Sequence, residues 1–212
     1  MTVTPIIDAA LIRSLNMSQG ERLAASNQGE VRRHRIGELD LAIKRPSGRG
    51  LAWRLRRATL QREHEAYLRL QGLDGFAPCH GLFDRELLVL GHVSGQPFRD
   101  AAILDRERFF ALLLTSIQAM HKRGVAHGDL KRKDNLLVTA DGKPVILDLG
   151  AATLRKSGWH PLNQRLFAFM CQTDLNAWVK LKYGGYGNVP AQDAELLDRS
   201  WLERLLGHLR RP

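Results

Sequence analysis

The sequence has only two cysteines, Cys79 and Cys171, far apart and with no C-x-x-C spacing. That excludes a disulfide framework and a thiolate zinc site, and it predicts two ordinary reduced thiols. Nowhere do 18 or more apolar residues run together, so no stretch is predicted to cross a membrane. The first fifteen residues carry Asp8 and Arg13 but lack the basic start and long apolar run of a secretory signal. These absences predict a cytoplasmic protein. Aromatic residues make up only 7% of the chain, and none is interleaved with the arginine clusters in the way a single-strand nucleic-acid binder requires. There is no internal repeat and no low-complexity tract.

Acidic residues are in short supply relative to basic ones. Thirty-two Lys and Arg face 22 Asp and Glu among 212 residues, giving a formal net charge of +10. Such a field favours polyanionic partners: nucleic acid, anionic lipid or phosphorylated substrates. The arginines cluster at Arg32, Arg33 and Arg35 and again at Arg54, Arg56 and Arg57. Each cluster reads as a solvated face or as a binding patch. A hydrophobic content of 44% supports a core of one domain or two small lobes.

Hydrophobic spacing orders the chain. Residues 14–25 give a weak pattern, read as a helix or an irregular lead-in. Val31, Ile36, Leu39, Leu41 and Ile43, with Gly37 between them, predict a β-hairpin that stops at Pro46. Trp53 to Leu70 has no glycine or proline and predicts a helix. Strands come next at residues 80–83 and 86–90, turning at Asp84-Arg85. The glycine- and proline-containing connector Gly91 to Pro97 marks a boundary between lobes at residues 1–93 and 94–212. Beyond it come a helix over 106–123 with a broad apolar face, a strand pair at 135–138 and 144–147 around Asp141-Gly142, and helices near 162–183 and 194–206.

The chemistry concentrates in V-A-H-G-D-L-K-R-K-D-N-L-L-V, residues 125–138, followed by V-I-L-D-L-G, residues 145–150. A hairpin between them carries Asn135 and Asp148 to one mouth, with Asp129 on the entering loop. Three oxygen-bearing side chains converging in this way suit a hard cation. Taken singly, His-Gly-Asp is a common turn, Asp148 ends a strand, and a lysine such as Lys44 is usually a surface residue.

In their order, these stations resemble the protein-kinase superfamily. H-G-D-L-K is similar to the catalytic-loop H-R-D-L-K, with Gly128 in place of arginine; D-L-G is similar to D-F-G; and L-A-I-K at Leu41 to Lys44 is similar to V-A-I-K. The resemblance covers residues 21–152. It implies an α+β, two-lobed protein-kinase-like fold with a small β-rich N-lobe and a reduced helical C-lobe. It also implies ATP and Mg2+ as cofactors. Lys44 would hold the α- and β-phosphates, Asp129 would act on the acceptor, and Asn135 and Asp148 would bind Mg2+. Glu63 and Glu65 compete as the ion-pair partner of Lys44. Ala66, Tyr67 and Leu70 lie three, four and seven residues after Glu63, whereas Leu68, Arg69 and Gly72 stand at those distances from Glu65. The apolar set favours Glu63 as the one facing inward.

The pattern departs from the family in three places. No G-x-G-x-x-G precedes Lys44; the nearest candidate for a phosphate-covering turn is Ser26, Asn27 and Gly29, where Gly29 alternatively serves only the turn. The interval from Asp129 to Asn135 is one residue longer than usual, so a bulge is predicted over residues 131–134, and Asp134 stays open as an alternative metal ligand. After Gly150 nothing resembles an activation segment, and the remaining 62 residues predict two or three helices without a large peptide-docking platform.

These traits resemble the lipopolysaccharide-core (Kdo and heptose) kinases first and the RIO kinases second. The first resemblance implies phosphorylation of a sugar or glycolipid hydroxyl at the inner face of the membrane. There Arg54, Arg56, Arg57 and Trp53 would touch anionic lipid, and Arg155, Lys156 and Trp159 would meet the acceptor. The second implies an atypical Ser/Thr protein kinase with a protein or RNA-associated acceptor. A pseudokinase interaction module is a third reading, favoured by the degenerate glycine loop and opposed by the filled charged stations.

Overall fold

The computed structural model describes residues 7–15, 19–26 and 29–198. In chain order its elements are helix α1 (Ala9–Ser14), strands β1 (Glu21–Ser26), β2 (Gly29–Ile36) and β3 (Leu39–Pro46), helix α2 (Gly50–Leu70), strands β4 (Cys79–Phe83), β5 (Leu87–Gly91) and β6 (Gln96–Pro97), helix α3 (Arg106–Lys122), strands β7 (Val125–Ala126), β8 (Leu136–Val138), β9 (Pro144–Ile146) and β10 (Thr153–Leu154), and helices α4 (Pro161–Tyr183) and α5 (Ala191–Ala194). The fold is α+β. The chain divides into two compact units, one of residues 1–95 with 145–151 and one of residues 96–144 with 152–212.

The first unit is an antiparallel sheet in the order β1-β2-β3-β5-β4. Period-two alternation decides its two faces. Leu41, Ile43 and the opposing Val89 point to one side, where Ile12 of α1 joins them in a buried cluster. Ala42 and Lys44, opposite Leu90 and Leu88, point to the other side. The buried positions of α2, Leu60, Glu63, Ala66, Tyr67 and Leu70, recur at three- and four-residue intervals and form the one buried stripe of that helix. Arg13 of α1 forms a two-pronged ion pair with Asp84 in the β4–β5 turn. Asp84 and Arg85 both have positive φ there. Segment 145–151 returns to this unit, and the Ile146 amide donates to the Gly75 carbonyl at 2.8 Å.

The pattern over residues 14–25 is resolved as the end of α1 and then β1, not as a helix through that stretch. E-R-L-A-A-S carries no β-branched residue. Hydrogen bonding to β2 makes it an edge strand where intrinsic propensity is silent.

The second unit is mostly helical. Asp105 caps α3, its carboxylate accepting from the Arg108 amide at 2.9 Å, and the helix ends before Gly124, whose φ of +74° suits only glycine well. Phe98, Phe109, Phe110 and Trp178 pack as stacked and edge-on rings, and the Trp178 indole N–H donates to the Phe110 carbonyl at 2.8 Å. That bond locks α4 to α3. Arg106 donates to the carbonyls of Leu181 and Lys182 at the last turn of α4, where free carbonyls face a cation. β7 pairs with β10, and β6 with β8.

The helix expected over 194–206 is not found among the described residues: the single turn of α5 ends at Ala194, residues 195–198 are turn and irregular chain, and residues 199–206 lie outside the described residues. Among the described residues no helix is long and apolar enough to cross a membrane.

Candidate active site

In the first unit the chain builds a compact charged cluster. The Lys44 ammonium donates to Glu63 at 2.9 Å to Oε1, with Oε2 at 2.8 Å, and to Asp148 Oδ1 at 2.7 Å. The Glu63 side chain is only 2% exposed, while Asp148 is half open. Burial pulls the Lys44 pKa down, but the two carboxylates outweigh it and hold the ammonium above its ordinary value. Burial pushes the Glu63 carboxyl up against the pull of Lys44, and the neighbouring Asp148 charge adds to the rise. Glu65, by contrast, is exposed and pairs with Arg69 at 2.6 Å along the helix surface.

Asp148 sits at φ +57°, a left-handed conformation that costs a non-glycine residue about 1–2 kcal/mol. The strain sits where strand β9 gives way to a short 3₁₀ turn, Leu149–Ala151. Several neighbours hold that turn. Arg62 reaches the Gly150 carbonyl at 3.4 Å, and the Tyr67 phenol, buried beneath, accepts from the Asp148 backbone. Burial pushes the Tyr67 pKa well above its ordinary value, so it stays a neutral phenol. A Cβ on Gly150 would meet Asp148 Oδ1 at 3.2 Å, Glu63 Oε2 at 3.5 Å and Lys44 Nζ at 3.7 Å. The glycine therefore leaves room for the charged groups to converge.

The second unit holds the loop with Asp129 and Asn135. Asn135 is buried, and its side-chain amide donates to the Asp129 carbonyl at 2.9 Å, tying the two ends of the loop together. The Asp129 amide donates to His127 Nδ1 at 3.2 Å. Beneath them lies Asp174 of α4, fully buried. Its Oδ2 accepts from the His127 amide at 2.7 Å and lies 3.1 Å from His121 Nε2, while Oδ1 accepts from the Gly128 amide at 2.8 Å. A buried carboxylate is tolerated only with such partners. These bonds fix the backbone directly ahead of Asp129, and Gly128 takes φ +78° to present its amide.

The extra residue of this loop is absorbed by a 3₁₀ turn, Lys133–Asn135, so Asn135 ends that turn and does not begin the strand. Asp134 is turned outward onto Arg99 at 2.7 Å. The six-position interval thereby keeps Asn135 inside and Asp134 outside.

The phosphate-turn candidates sit at the β1–β2 connection. Ser26 pairs with Gly29 in the ladder, and Asn27 lies outside the described residues. A Cβ at Gly29 would come 2.4 Å from the Arg45 carbonyl, so close approach to β3 explains the glycine without a ligand.

The basic clusters are largely committed internally. Arg32 pairs with Glu30, Arg33 with Asp40, and Arg45 with Glu30. Arg56 donates to the Ser47 carbonyl, and Arg57 lies 4.7 Å over Trp53. Beyond the D-L-G turn, Arg155 lies over Phe167 at 5.6 Å, while Trp159 is 86% exposed.

A family model described as the RIO domain matches residues 27–169, about two thirds of the sequence. The chain belongs to the RIO domain family. Its protein-kinase-like fold, a β-rich first unit followed by a helical second one, accords with that membership. The match includes Lys44, Glu63, Asp129, Asn135 and Asp148. A more distant likeness reaches cyclin-dependent kinase F-1 of rice (Oryza sativa subsp. japonica), 31% identical over 109 residues, which cover 47% of this chain and 21% of that protein. The RIO-domain chain thus spans about a fifth of that relative.

Sequence reasoning missed three contributors to the site of this RIO-domain protein. Asp174 had a visible signal, a lone carboxylate among the apolar and aromatic positions of C-Q-T-D-L-N-A-W-V. Tyr67 was read only as apolar filling, because nothing in the sequence shows where its hydroxyl goes. Gly150 was taken as part of a motif, but the crowding of charges around it is visible only in three dimensions.

Proposed function

We propose that this protein transfers the γ-phosphate of ATP to a hydroxyl acceptor. The carrying observation is the Lys44 ammonium gripped between the buried Glu63 and the half-open Asp148. A lysine so held is pre-positioned for the α- and β-phosphates, and its permanent charge suits them. Asp129 orients the acceptor hydroxyl and takes its proton as the oxygen bonds to the γ-phosphorus. The bond from that phosphorus to the β,γ-bridging oxygen breaks, and ADP leaves with the electron pair.

Asn135 and Asp148 offer the hard oxygen donors that Mg2+ prefers. Mg2+ at nucleotide sites is held by one or two side chains together with phosphate oxygens, which is the share these two residues would supply. When bound, Mg2+ would neutralise the charge on the phosphates. Ser26, Asn27 and Gly29 remain the proposed cover for those phosphates.

For the acceptor we favour a sugar hydroxyl of a lipopolysaccharide core or similar glycolipid. Trp159 supports this, because a tryptophan left 86% exposed beside Lys156 and His160 is suited to stack on a sugar and meet an anionic group. Only ten residues separate Gly150 from the start of α4, which leaves little room for a peptide-docking segment. Peripheral contact with anionic lipid rests on Arg54 more than on Arg56 or Arg57, whose guanidinium groups have internal partners.

The second reading, an atypical Ser/Thr protein kinase, draws support from RIO-domain membership. To separate the two, [γ-³²P]ATP is supplied to the wild-type chain and to Asp129→Asn with fractionated glycolipid, protein and RNA pools. Asp129-dependent label in the glycolipid pool is expected. Label confined to protein or RNA would replace the sugar acceptor. ATP binding with no label in any pool would favour the pseudokinase reading.

A further inference from the structure

Between Asp129 and Asn135 the chain carries three consecutive cations, Lys131, Arg132 and Lys133, followed by a single acid, Asp134. The charge of Asp134 is answered by Arg99 at 2.7 Å. Arg132 is the cation whose place in this loop is best defined. Its amide donates to the Asp129 carbonyl at 3.3 Å, and its own carbonyl accepts from the Asn135 amide at 3.0 Å. The Asn135 side chain donates to the same Asp129 carbonyl at 2.9 Å. Aspartate and arginine therefore share one hydrogen-bonded turn, and Arg132 Nη1 lies 3.8 Å from Asp129 Oδ2.

Folding alone does not call for an arginine here. The backbone of Arg132 is extended, at φ −80° and ψ 115°, a conformation open to most residues. The ion pair is loose, and with its side chains 64% and 38% exposed it is screened by water and adds little to stability. A guanidinium in that position is suited to a different task. Its planar fork matches a carboxylate or a phosphate through two parallel hydrogen bonds. A hydroxyl in hydrogen-bond reach of Asp129 and an anionic oxygen in reach of Arg132 would lie roughly 4–6 Å apart, as in a sugar whose hydroxyl stands two or three carbons from an acidic group.

We propose that Arg132 is a specificity residue, selecting an acceptor that carries a carboxylate or phosphate close to the hydroxyl to be phosphorylated. This rests on the phosphotransfer reading and narrows its acceptor to an acidic sugar. When such an acceptor binds, its anionic group draws the guanidinium from Asp129 and leaves Oδ2 to receive the hydroxyl. A neutral sugar offers no such exchange. Under the same reading the ATP phosphates have Lys44 and the metal ligands to answer them, so the charge of Arg132 is assigned to the acceptor.

The test is label transfer from [γ-³²P]ATP to the glycolipid pool by the full chain, with Mg-ATP and pool concentrations varied separately. Wild type is compared with Arg132→Lys and Arg132→Gln, and thermal melts establish that each variant is folded. Wild type is also given the pool after alkaline phosphatase, which removes phosphate monoesters, and after carbodiimide coupling to methylamine, which neutralises carboxylates. Arg132→Gln is expected to raise the KM for the pool about tenfold or more while the KM for ATP stays within about twofold, with Arg132→Lys between. One of the two pretreatments is expected to reproduce the Gln effect on wild type, and which one does so tells phosphate from carboxylate. A pool KM unmoved by Arg132→Gln, or by both pretreatments, would overturn the proposal and leave phosphotransfer standing. So would a rise confined to the KM for ATP, since Arg132 would then serve the nucleotide, or label that reaches only protein or RNA. A wild-type chain that labels nothing would remove the phosphotransfer reading itself, and this proposal with it.

Discussion

Replacing Asp174 by Asn keeps the shape of the side chain and removes its charge and one acceptor oxygen. The native carboxylate receives the amides of His127 and Gly128 and faces His121 Nε2, all within 3.1 Å. An asparagine has one acceptor oxygen and two N–H donors. With its oxygen towards His127 and His121, it turns an N–H against the Gly128 amide; flipped, it turns an N–H against the His127 amide. The better case forfeits one charge-assisted hydrogen bond and leaves a buried donor unpaired, together about 3–5 kcal/mol. For a chain of this size that corresponds to a fall in Tm of roughly 6–20 °C. Differential scanning calorimetry measures it, with Thr173→Ala as a neighbouring control that loses only a bond to the Phe169 carbonyl. Turnover should fall with stability, because the backbone ahead of Asp129 loses its anchor, whereas ATP affinity should hold because Lys44 belongs to the other unit. An Asn variant melting within about 2 °C of wild type would refute the assignment of Asp174 as the anchor of this loop.

The same geometry fixes three further outcomes. Glu63→Gln should raise the KM for ATP about tenfold or more by releasing one side of the Lys44 grip, while Glu65→Gln, on the surface with Arg69, should stay within about twofold; steady-state kinetics compare them. Asn135→Ala should raise the Mg2+ concentration needed for half-maximal turnover, whereas Asp134→Ala, which only frees Arg99, should leave it unchanged; the reverse order in a Mg2+ titration would make Asp134 the ligand. Ile12→Ala should cost about 2–5 kcal/mol in a urea melt, because Ile12 is 1% exposed against Leu41, Ile43 and Val89; a cost under about 0.5 kcal/mol would show that α1 is dispensable.

The parts of this molecule that were legible in the sequence are those with a period or a local signal. The apolar stripe of α2, the alternation of β3, the span of α3 and the Asp84-Arg85 turn all arise from short-range chemistry. Placing Glu63 inside and Glu65 outside needed only a count along the helix. The failures share one physical cause, dependence on distant residues. β1 is a strand because β2 is beside it. Whether Asn135 or Asp134 faces inward is decided by Arg99, 35 residues away. Asp174 looks like an ordinary helix carboxylate until its partners, some 46 residues upstream, are seen. The arginine clusters suggested an open basic surface, but Glu30, Asp40, Ser47 and the Trp53 ring already occupy several of them.

The central claim is that a lysine held by two carboxylates and an aspartate on a separate loop divide the work between nucleotide and acceptor. Its most direct test is to measure Mg-ATP binding by calorimetry and label transfer from [γ-³²P]ATP on wild type, Lys44→Met and Asp129→Asn in parallel. Lys44→Met is expected to lose binding and transfer together, while Asp129→Asn binds Mg-ATP within about twofold of wild type and transfers at least about a hundredfold more slowly. An Asp129→Asn chain that transfers at the wild-type rate, or a wild-type chain that binds no Mg-ATP, would contradict it.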